Sequence, residues 1–228
     1  MAKKEENKNV LENQEVLQEK VAGFEHWIEN NSKVVFGILG VAVLAVAGYF
    51  GFTYYKNNQN EIAQKEMFQA IRYFEADSLS LALNGDGNNL GFVNIIEDYS
   101  MTEAANLANY YAGVCYLKQG EFETAILYLK DFSSKDLLVQ PRAYSLLGDA
   151  HMELQKFEEA ASYYGKASKY MPNKFFTPSY LMKEALAYEK LNQNEKAIAA
   201  YDRIINEFFD APEFTNAKKY KARLQKNS

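Results

Sequence analysis

A run of 22 residues without a charged side chain constrains the fold of this chain more than any other feature. The run extends from Val34 to Tyr55 and is bounded by Lys33 and Lys56. At a rise of about 1.5 Å per residue, a helix of this length spans the roughly 30 Å hydrocarbon core of a bilayer. Aromatic side chains crowd the C-terminal end of the run, as they do at membrane interfaces. The sequence therefore predicts one transmembrane helix at 34–55.

A cleaved signal peptide is the main alternative, because it also places an apolar segment near the N-terminus. Signal peptides begin with a short basic leader, whereas residues 1–33 form a long leader with more acidic residues than lysines. The triplet Ala45-Val46-Ala47 could mimic a cleavage site, but the apolar run continues past it. We therefore interpret the run as an uncleaved anchor.

The leader at 1–33 is predicted to contain an amphipathic helix. Apolar residues recur in it at intervals of seven, at Val10, Leu17 and Phe24 and again at Val21 and Ile28. Such a stripe suits a helix that lies on the membrane surface with Trp27 among the headgroups, and it also suits a coiled-coil contact with a partner. The lysines of the leader favour a cytoplasmic leader and an external C-terminal domain by the positive-inside rule.

One side of the predicted span carries mostly small residues. They recur at spacings of three and four, at Gly37, Gly40, Leu44, Ala47 and Gly51. Small residues on one side of a span allow a second helix to approach closely, although small residues are also common in spans generally. The pattern predicts a packing face for a membrane partner.

The chain beyond the anchor repeats itself three times. The repeats begin near Asn109, Tyr144 and Leu181, and each reads as two helices joined by a short polar turn. Small residues and bulky residues recur about 35 residues apart in three sets: Gly113, Gly148 and Ala185; Ala125, Ala160 and Ala197; and Leu129, Tyr164 and Tyr201. The small residues leave room for paired helices to approach. This period and pattern resemble the tetratricopeptide repeat.

The resemblance implies an all-α fold, a solenoid of helical hairpins tethered by one transmembrane helix. We predict a leader at 1–33, a span at 34–55 and a repeat domain at 56–228. The repeat domain is expected to contain a degenerate helical pair at 60–100, repeats at about 106–139, 141–174 and 178–211, and a capping helix at 212–226.

The sequence offers little for catalysis or cofactor binding. We interpret His151 as a core residue and Cys115, the only cysteine, as a buried and inert thiol. A stretch beginning at Asn84 lacks the glycine and the bidentate acid of a calcium loop, so we predict that 78–89 is a plain turn. Nucleotide, zinc and paired-cysteine motifs are absent, and a net charge of −5 without a basic patch argues against nucleic acid. We predict no catalytic residue, cofactor, metal or small-molecule substrate.

Protein binding is the function that remains. Stacked repeats present a surface lined by the first helix of each pair. The predicted lining comprises Tyr110, Val114, Leu117, Lys118, Arg142, Ser145, Asp149, Met152, Glu153, Met182, Leu186, Glu189 and Lys190. Tyr110 and Val114 stand where some repeat proteins carry the polar residues of a carboxylate clamp. A mixed lining, with Tyr110, Met152 and Met182 taken as exposed, suits an extended or unfolded polypeptide or an apolar helix.

The layout as a whole resembles the ancillary subunit of the bacterial Sec translocon. The residues that carry the resemblance flank the span: Phe24 and 27–31 before it, and 54–59 after it. That family has a cytoplasmic leader, one inner-membrane helix and a periplasmic repeat domain. The family associates with the translocation channel and with a membrane-anchored periplasmic chaperone. The resemblance implies an inner-membrane scaffold or chaperone-like adaptor for translocon subunits, that chaperone or unfolded clients.

Two other hypotheses stay open. The domain also resembles the periplasmic repeat protein that coordinates envelope constriction, which implies a structural adaptor that organises cell-wall or division machinery. That protein enters the periplasm through a cleaved signal. An enzyme with an unrecognised site is the third hypothesis. Cross-linking in intact cells to channel subunits or to wall synthases separates the first two.

Overall fold

The computed structural model describes residue 18 and residues 21–226, and this part of the chain contains helices and no strand. The predicted all-α fold is therefore confirmed. The chain divides into two compact units, Met1–Tyr55 and Lys56–Ser228. Val10 and Leu17 of the predicted leader stripe lie outside the described residues.

The first unit is helical throughout its described part beyond residue 20, apart from a turn at Asn31. Residues 21–30 form one helical stretch, in which the rings of Phe24 and Trp27 stack with their centroids 6.2 Å apart. Helix α1 extends over Ser32–Glu75 and contains a stretch that is long and apolar enough to cross a membrane. By length and composition alone, α1 is thus a candidate span, and a signal sequence meets the same criteria.

The second unit is a succession of antiparallel helical hairpins. Its helices after α1 are α2 (Leu79–Asn84), α3 (Phe92–Asp98), α4 (Glu103–Gln119), α5 (Phe122–Asp131), α6 (Val139–Glu153), α7 (Phe157–Lys169), α8 (Thr177–Lys190), α9 (Asn194–Glu207) and α10 (Phe214–Lys226). The pairs α4/α5, α6/α7 and α8/α9 are the three repeats. At one end, Met67 and Ala70 of α1 share a core with Phe92 of α3 and Ala112 of α4. At the other end, α10 packs on the last repeat.

Small residues lie under large ones where the two helices of a repeat meet. A Cβ atom added at Gly113 would lie 2.5 Å from Cγ of Leu129, and one added at Gly148 would lie 2.5 Å from Cε1 of Tyr164. In the third repeat Ala185, which is fully buried, shares a core with Tyr201. The pairs of small and bulky residues that recur in the sequence are therefore the contacts that hold each hairpin together.

The segment at 78–89 differs in part from the predicted plain turn, because it contains the short helix α2. A turn follows at Asp86, whose carboxylate accepts hydrogen bonds from the Asn88 and Asn89 backbone amides at 2.9 and 2.7 Å and from the Tyr73 hydroxyl at 2.6 Å. These bonds, the one from Tyr73 above all, hold the pKa of Asp86 well below its usual range. The Asp86 carboxylate thus closes the loop against α1.

Candidate peptide-binding groove

A groove of about 560 Å³ crosses the first helices of all three repeats. Aromatic and aliphatic side chains form most of its wall, and three charged side chains also line it. Its lining comprises Leu107, Tyr110, Tyr111, Leu138, Val139, Arg142, Ser145, Leu146, Asp149, Phe176, Tyr180 and Lys183. These residues come from α4, α6 and α8 and from the ends of the loops that precede α6 and α8.

Packing between rings fixes the aromatic wall of the groove. The Tyr110 ring lies edge-on to Tyr111, with centroids 5.7 Å apart, and contacts Phe132 at 5.3 Å. The Tyr111 ring stacks on Phe92 at 5.1 Å. A wall built in this way keeps its shape without a ligand, so little side-chain freedom is lost when a ligand binds.

One ion pair in the groove joins the second repeat to the third. The Lys183 ammonium lies 2.8 Å from both carboxylate oxygens of Asp149. The Tyr164 hydroxyl donates a hydrogen bond of 2.7 Å to the same carboxylate. Burial, followed by the Asp149 charge, raises the pKa of Tyr164 far above its usual value, so this hydroxyl remains a donor at any physiological pH. Asp149 and Lys183 therefore neutralise each other.

Arg142 is the cation of the groove that no carboxylate neutralises. Among the described residues, no Asp or Glu oxygen lies within 4.0 Å of its guanidinium group. Its side chain is exposed, and it lies close to Tyr110 and Tyr180. Burial raises the pKa of both phenols, and the positive charge of Arg142 partly offsets that effect. The groove thus offers one positive charge that no carboxylate of the described residues neutralises and that interacts with the Tyr110 hydroxyl.

Models of the tetratricopeptide repeat match residues 107–136, 141–174 and 180–208. The chain contains tetratricopeptide repeats. The three matches cover α4/α5, α6/α7 and α8/α9, so the groove is lined by the first helix of each repeat. Proteins built from these repeats are generally non-enzymatic adaptors that bind other proteins. No curated protein matches this chain.

The structure brings only part of the predicted lining into the tetratricopeptide groove. Tyr110, Arg142, Ser145 and Asp149 line it. The other predicted residues do not: Val114, Leu117, Lys118, Met152, Glu153, Met182, Leu186, Glu189 and Lys190.

Several of the predicted lining residues have structural contacts instead. Leu117 packs against the core of the first two repeats, while Met152 and Met182 pack against the cores of the second and third. Tyr110, Met152 and Met182 are partly buried, so the expectation that they are exposed was wrong. Lys118 pairs with Asp77 at 2.5 Å.

Near the C-terminal end of α8, Glu189 also makes contacts within the repeat domain. Glu189 accepts a hydrogen bond of 2.7 Å from the Tyr201 hydroxyl and pairs with Arg223 of α10. Leu186 is exposed on the same helix. The third repeat instead contributes Tyr180 and Lys183 to the groove, which sequence reasoning missed.

The predicted lining of the third repeat was copied from that of the second. Met182, Leu186 and Glu189 are the equivalents, at an offset of 37 residues, of the predicted lining residues Ser145, Asp149 and Met152. The groove face keeps its register between the first two repeats, because Leu107, Tyr110 and Tyr111 recur 35 residues later as lining residues of α6. Lys183 is the equivalent of Leu146 at the offset of 37, and Leu146 was absent from the predicted lining. Tyr180 and Lys183 are three residues apart, as neighbours on one helical face must be, and that spacing is the signal the sequence offered.

A second cavity of about 420 Å³ lies between α7 and α8 and shares no residue with the groove. Lys166, Lys169 and Lys196 line it together with Glu184, which is only 8% exposed. Glu184 accepts a hydrogen bond of 2.9 Å from the Ser168 hydroxyl, and burial raises the pKa of its carboxyl group.

Over the described part of the chain, no three His, Cys, Asp or Glu side chains are grouped so as to hold a metal ion.

His151 and Cys115 are both buried, as the sequence predicts. Burial raises the pKa of the Cys115 thiol to about 12, which keeps it protonated and unreactive. His151 stacks on Tyr163 with ring centroids 5.2 Å apart, and neither of its ring nitrogens has a hydrogen-bond partner among the described residues. Burial lowers the pKa of His151, so the folded protein holds it neutral.

Acid is therefore expected to destabilise the second repeat through His151. Below the unfolded pKa of about 6.5, the unfolded chain takes up a proton that the buried ring resists, so this stability is lost as the pH falls. The variant His151→Phe retains the stacked ring but not the titrating group. Between about pH 7.5 and 5.5, its free energy of unfolding should fall by about 1 kcal/mol less than that of the natural protein. Urea unfolding of both proteins at several pH values measures the difference.

The matched control for this prediction is His26→Phe, which removes an exposed histidine. It should leave the pH dependence unchanged. Parallel curves for the natural protein and His151→Phe would contradict the assignment of the acid sensitivity to His151.

Proposed function

We propose that this protein is a membrane-anchored, non-enzymatic adaptor that binds an extended polypeptide segment in the groove across α4, α6 and α8. The observation that carries the proposal is the combination of a preformed aromatic wall with one unneutralised cation, Arg142. An extended segment crosses all three repeats and places alternate side chains against the wall. A segment with apolar side chains flanking an acidic one matches the groove best.

Recognition of the acidic side chain would depend on Arg142. A guanidinium group pairs with a carboxylate through two parallel hydrogen bonds, and such charged hydrogen bonds are worth about 1.5–3 kcal/mol. Lys183 cannot substitute for it, because Asp149 already holds the Lys183 ammonium at 2.8 Å. Charge reversal at position 142 would place a carboxylate against the incoming carboxylate.

The variant Arg142→Glu is expected to weaken binding of an unfolded acidic protein by roughly ten-fold or more, since about 1.4 kcal/mol corresponds to ten-fold. The probe is reduced and carboxymethylated lactalbumin, which stays unfolded in buffer. Fluorescence anisotropy of the labelled probe, titrated with the full-length protein in mild detergent, gives the dissociation constants. The variant should keep its helicity, because the Arg142 side chain is exposed.

Lys190→Glu is the matched control. It makes the same change of charge on an exposed residue of α8 that does not line the groove. It should change binding by less than about two-fold at physiological salt, because a distant exposed charge is screened. Equal binding by all three proteins, or an equal loss in both variants, would mean that the groove is not the binding surface.

The proposed location is the bacterial inner membrane, with residues 34–55 as the span, 1–33 in the cytoplasm and 56–228 in the periplasm. The length and exposure of the apolar part of α1 support an anchor, and the lysines of the leader support this orientation. The layout resembles the ancillary subunit of the Sec translocon. We therefore propose translocon subunits, a membrane-anchored periplasmic chaperone or unfolded clients as the partners.

A partner within the membrane would contact the small-residue side of the span. A Cβ atom added at Gly37, Gly40 or Gly51 would have no neighbour within 4 Å, so each position is open to a second helix. Leu44 and Ala47 lie on the same side by their spacing. Close approach of two helices there would allow the packing that drives association in lipid.

A further inference from the structure

Six of the twelve exposed large apolar side chains in the described part of the second unit lie in the loops that follow the repeats. Leu137 and Leu138 lie in the loop before α6 and are 49% and 47% exposed, and Phe175 in the loop before α8 is 73% exposed. Met171 and Phe176 of the latter loop are also exposed. The turns within repeats are mostly polar: Gln119 to Glu121, Gln155 to Lys156, and Asn192 to Gln193. Because successive helices are antiparallel, the two sets of connections lie at opposite edges of the array.

Hydrogen bonds join these loops into one edge. The Tyr170 hydroxyl donates a bond of 3.3 Å to the Ser134 carbonyl, which links the loop before α8 to the loop before α6. The Asn106 side chain bonds to both backbone groups of Ser133, at 2.8 and 3.0 Å, which links the loop before α6 to the start of α4. The exposed apolar residues of the two loops that do not line the groove, Leu137, Met171 and Phe175, are called the loop edge below.

The second unit begins at this same edge. The Asn60 side chain accepts a hydrogen bond of 2.9 Å from the Ala104 backbone amide at the start of α4. Lys56 pairs with Glu103 at 3.9 Å. Lys56 is the first residue after the uncharged run that ends at Tyr55. The chain thus enters the repeat array beside the loop edge and not beside the polar turns.

Two exposed lysines and one exposed acid lie beside the loop edge. Lys135 and Lys174 are exposed, and neither forms an ion pair among the described residues. The acid between them in sequence, Asp136, accepts bonds from the Leu138 and Val139 backbone amides at 2.7 and 2.8 Å and keeps its negative charge, so two lysines and one acid leave a net charge of +1. Those bonds lower the pKa of Asp136.

The third loop between repeats differs. Phe209 is 72% exposed there, but residues 208–213 contain Asp210 and Glu213 and no lysine. It is therefore left out of the loop edge. Among the loops that follow the three repeats, the two nearest the start of the array combine exposed apolar groups with lysine.

From these observations we propose that the loop edge contacts an anionic bilayer surface, with the apolar side chains among the acyl chains and Lys135 and Lys174 at the phosphates. Bulky apolar groups flanked by lysines are the features that hold interfacial segments on anionic lipid. A protein partner has no such requirement for lysines at both loops. This inference rests on the proposed anchoring, since the anchor keeps the second unit beside the bilayer.

Tryptophan fluorescence of the full-length protein tests the inference. Trp27 is the only tryptophan, so Trp27→Phe provides a silent background. Phe175→Trp places the probe on the loop edge, and Gln119→Trp places it on an exposed turn at the opposite edge as the control. Both proteins are reconstituted in vesicles of phosphatidylglycerol and phosphatidylcholine, with and without brominated acyl chains. Flotation of the vesicles is measured first.

The expected result is flotation of both proteins, with quenching by brominated lipid of roughly two-fold or more for the Phe175→Trp protein alone. Adding Leu137→Glu should abolish the quenching while flotation persists. Flotation without quenching of the Phe175→Trp protein would overturn the lipid contact and leave the anchoring intact. Emission that shifts to shorter wavelength without quenching would indicate protein contact and also overturn it. Absence of flotation would overturn the anchoring and the lipid contact together.

Discussion

The substitution Gly148→Leu is expected to lower the free energy of unfolding of the repeat domain by about 3 kcal/mol or more. Even the first carbon of a side chain at this position would lie 2.5 Å from the Tyr164 ring. That ring cannot swing away at low cost, because it is 2% exposed and its hydroxyl is bonded to Asp149. The helices α6 and α7 must therefore separate. Thermal and urea unfolding, followed by circular dichroism, measure the loss.

Ala199→Leu is the control for this substitution. It adds a leucine to an exposed position of α9, where no core contact is disturbed and the helix propensity hardly changes. It should shift stability by less than about 0.5 kcal/mol. A small effect of Gly148→Leu would mean that α6 and α7 do not cross at this residue.

Sequence reasoning succeeded where a local pattern determines the contact. The small and bulky residues at Gly113 and Leu129, and at Gly148 and Tyr164, recur at a constant offset, and each pair lies within one hairpin. Only the geometry of two adjacent antiparallel helices is needed to place such a pair. For the same reason, the burial of Cys115 among apolar neighbours could be predicted from its helix alone.

The groove could be predicted only in part, because its lining depends on contacts between repeats. The ion pair of Lys183 with Asp149 joins residues 34 positions apart on different hairpins. The predicted lining of the second repeat lacked Leu146, so its equivalent Lys183 was missed. Met182, the equivalent of Ser145, was selected although it packs against a core. Likewise, α2 was missed because its six residues carry no periodic pattern long enough to be recognised.

The ion pair of Asp149 with Lys183 also connects the groove to the stability of the junction between the second and third repeats. Asp149 accepts bonds from both Tyr164 and Lys183, so it connects the hairpin contact of the second repeat to the first helix of the third. A ligand that fills the groove would contact residues on both sides of this link. Ligand binding is then expected to stabilise the junction between these repeats, because it adds contacts that the unfolded chain lacks.

Removal of α10, by ending the chain at Ala211, is expected to unfold the third repeat while the first stays folded. In α10, Ala217 is fully buried and Leu224 is 7% exposed, and the Tyr220 ring lies 6.0 Å from that of Tyr201. Lys221 also pairs with Asp202 at 2.5 Å. Burial of a large apolar side chain is worth about 1.5–3 kcal/mol, so loss of the helix should cost about 4 kcal/mol.

The loss should be local, because each repeat of a solenoid contacts only its neighbours. Truncation exposes the faces of Tyr201 and Ile204, which are buried in the complete chain. Hydrogen exchange followed by mass spectrometry should therefore show that protection falls by a hundred-fold or more, roughly 3 kcal/mol, in α9 and little in α4. Arg223→Ala removes the partly exposed pair with Glu189 and a contact with the Tyr220 ring but leaves α10 in place, and should lower protection in α9 by about 0.5 kcal/mol. Equal protection of α9 in the truncated and complete chains would show that α10 does not cap the array. A uniform loss of protection in α4 and α9 would show that the repeats unfold as one unit.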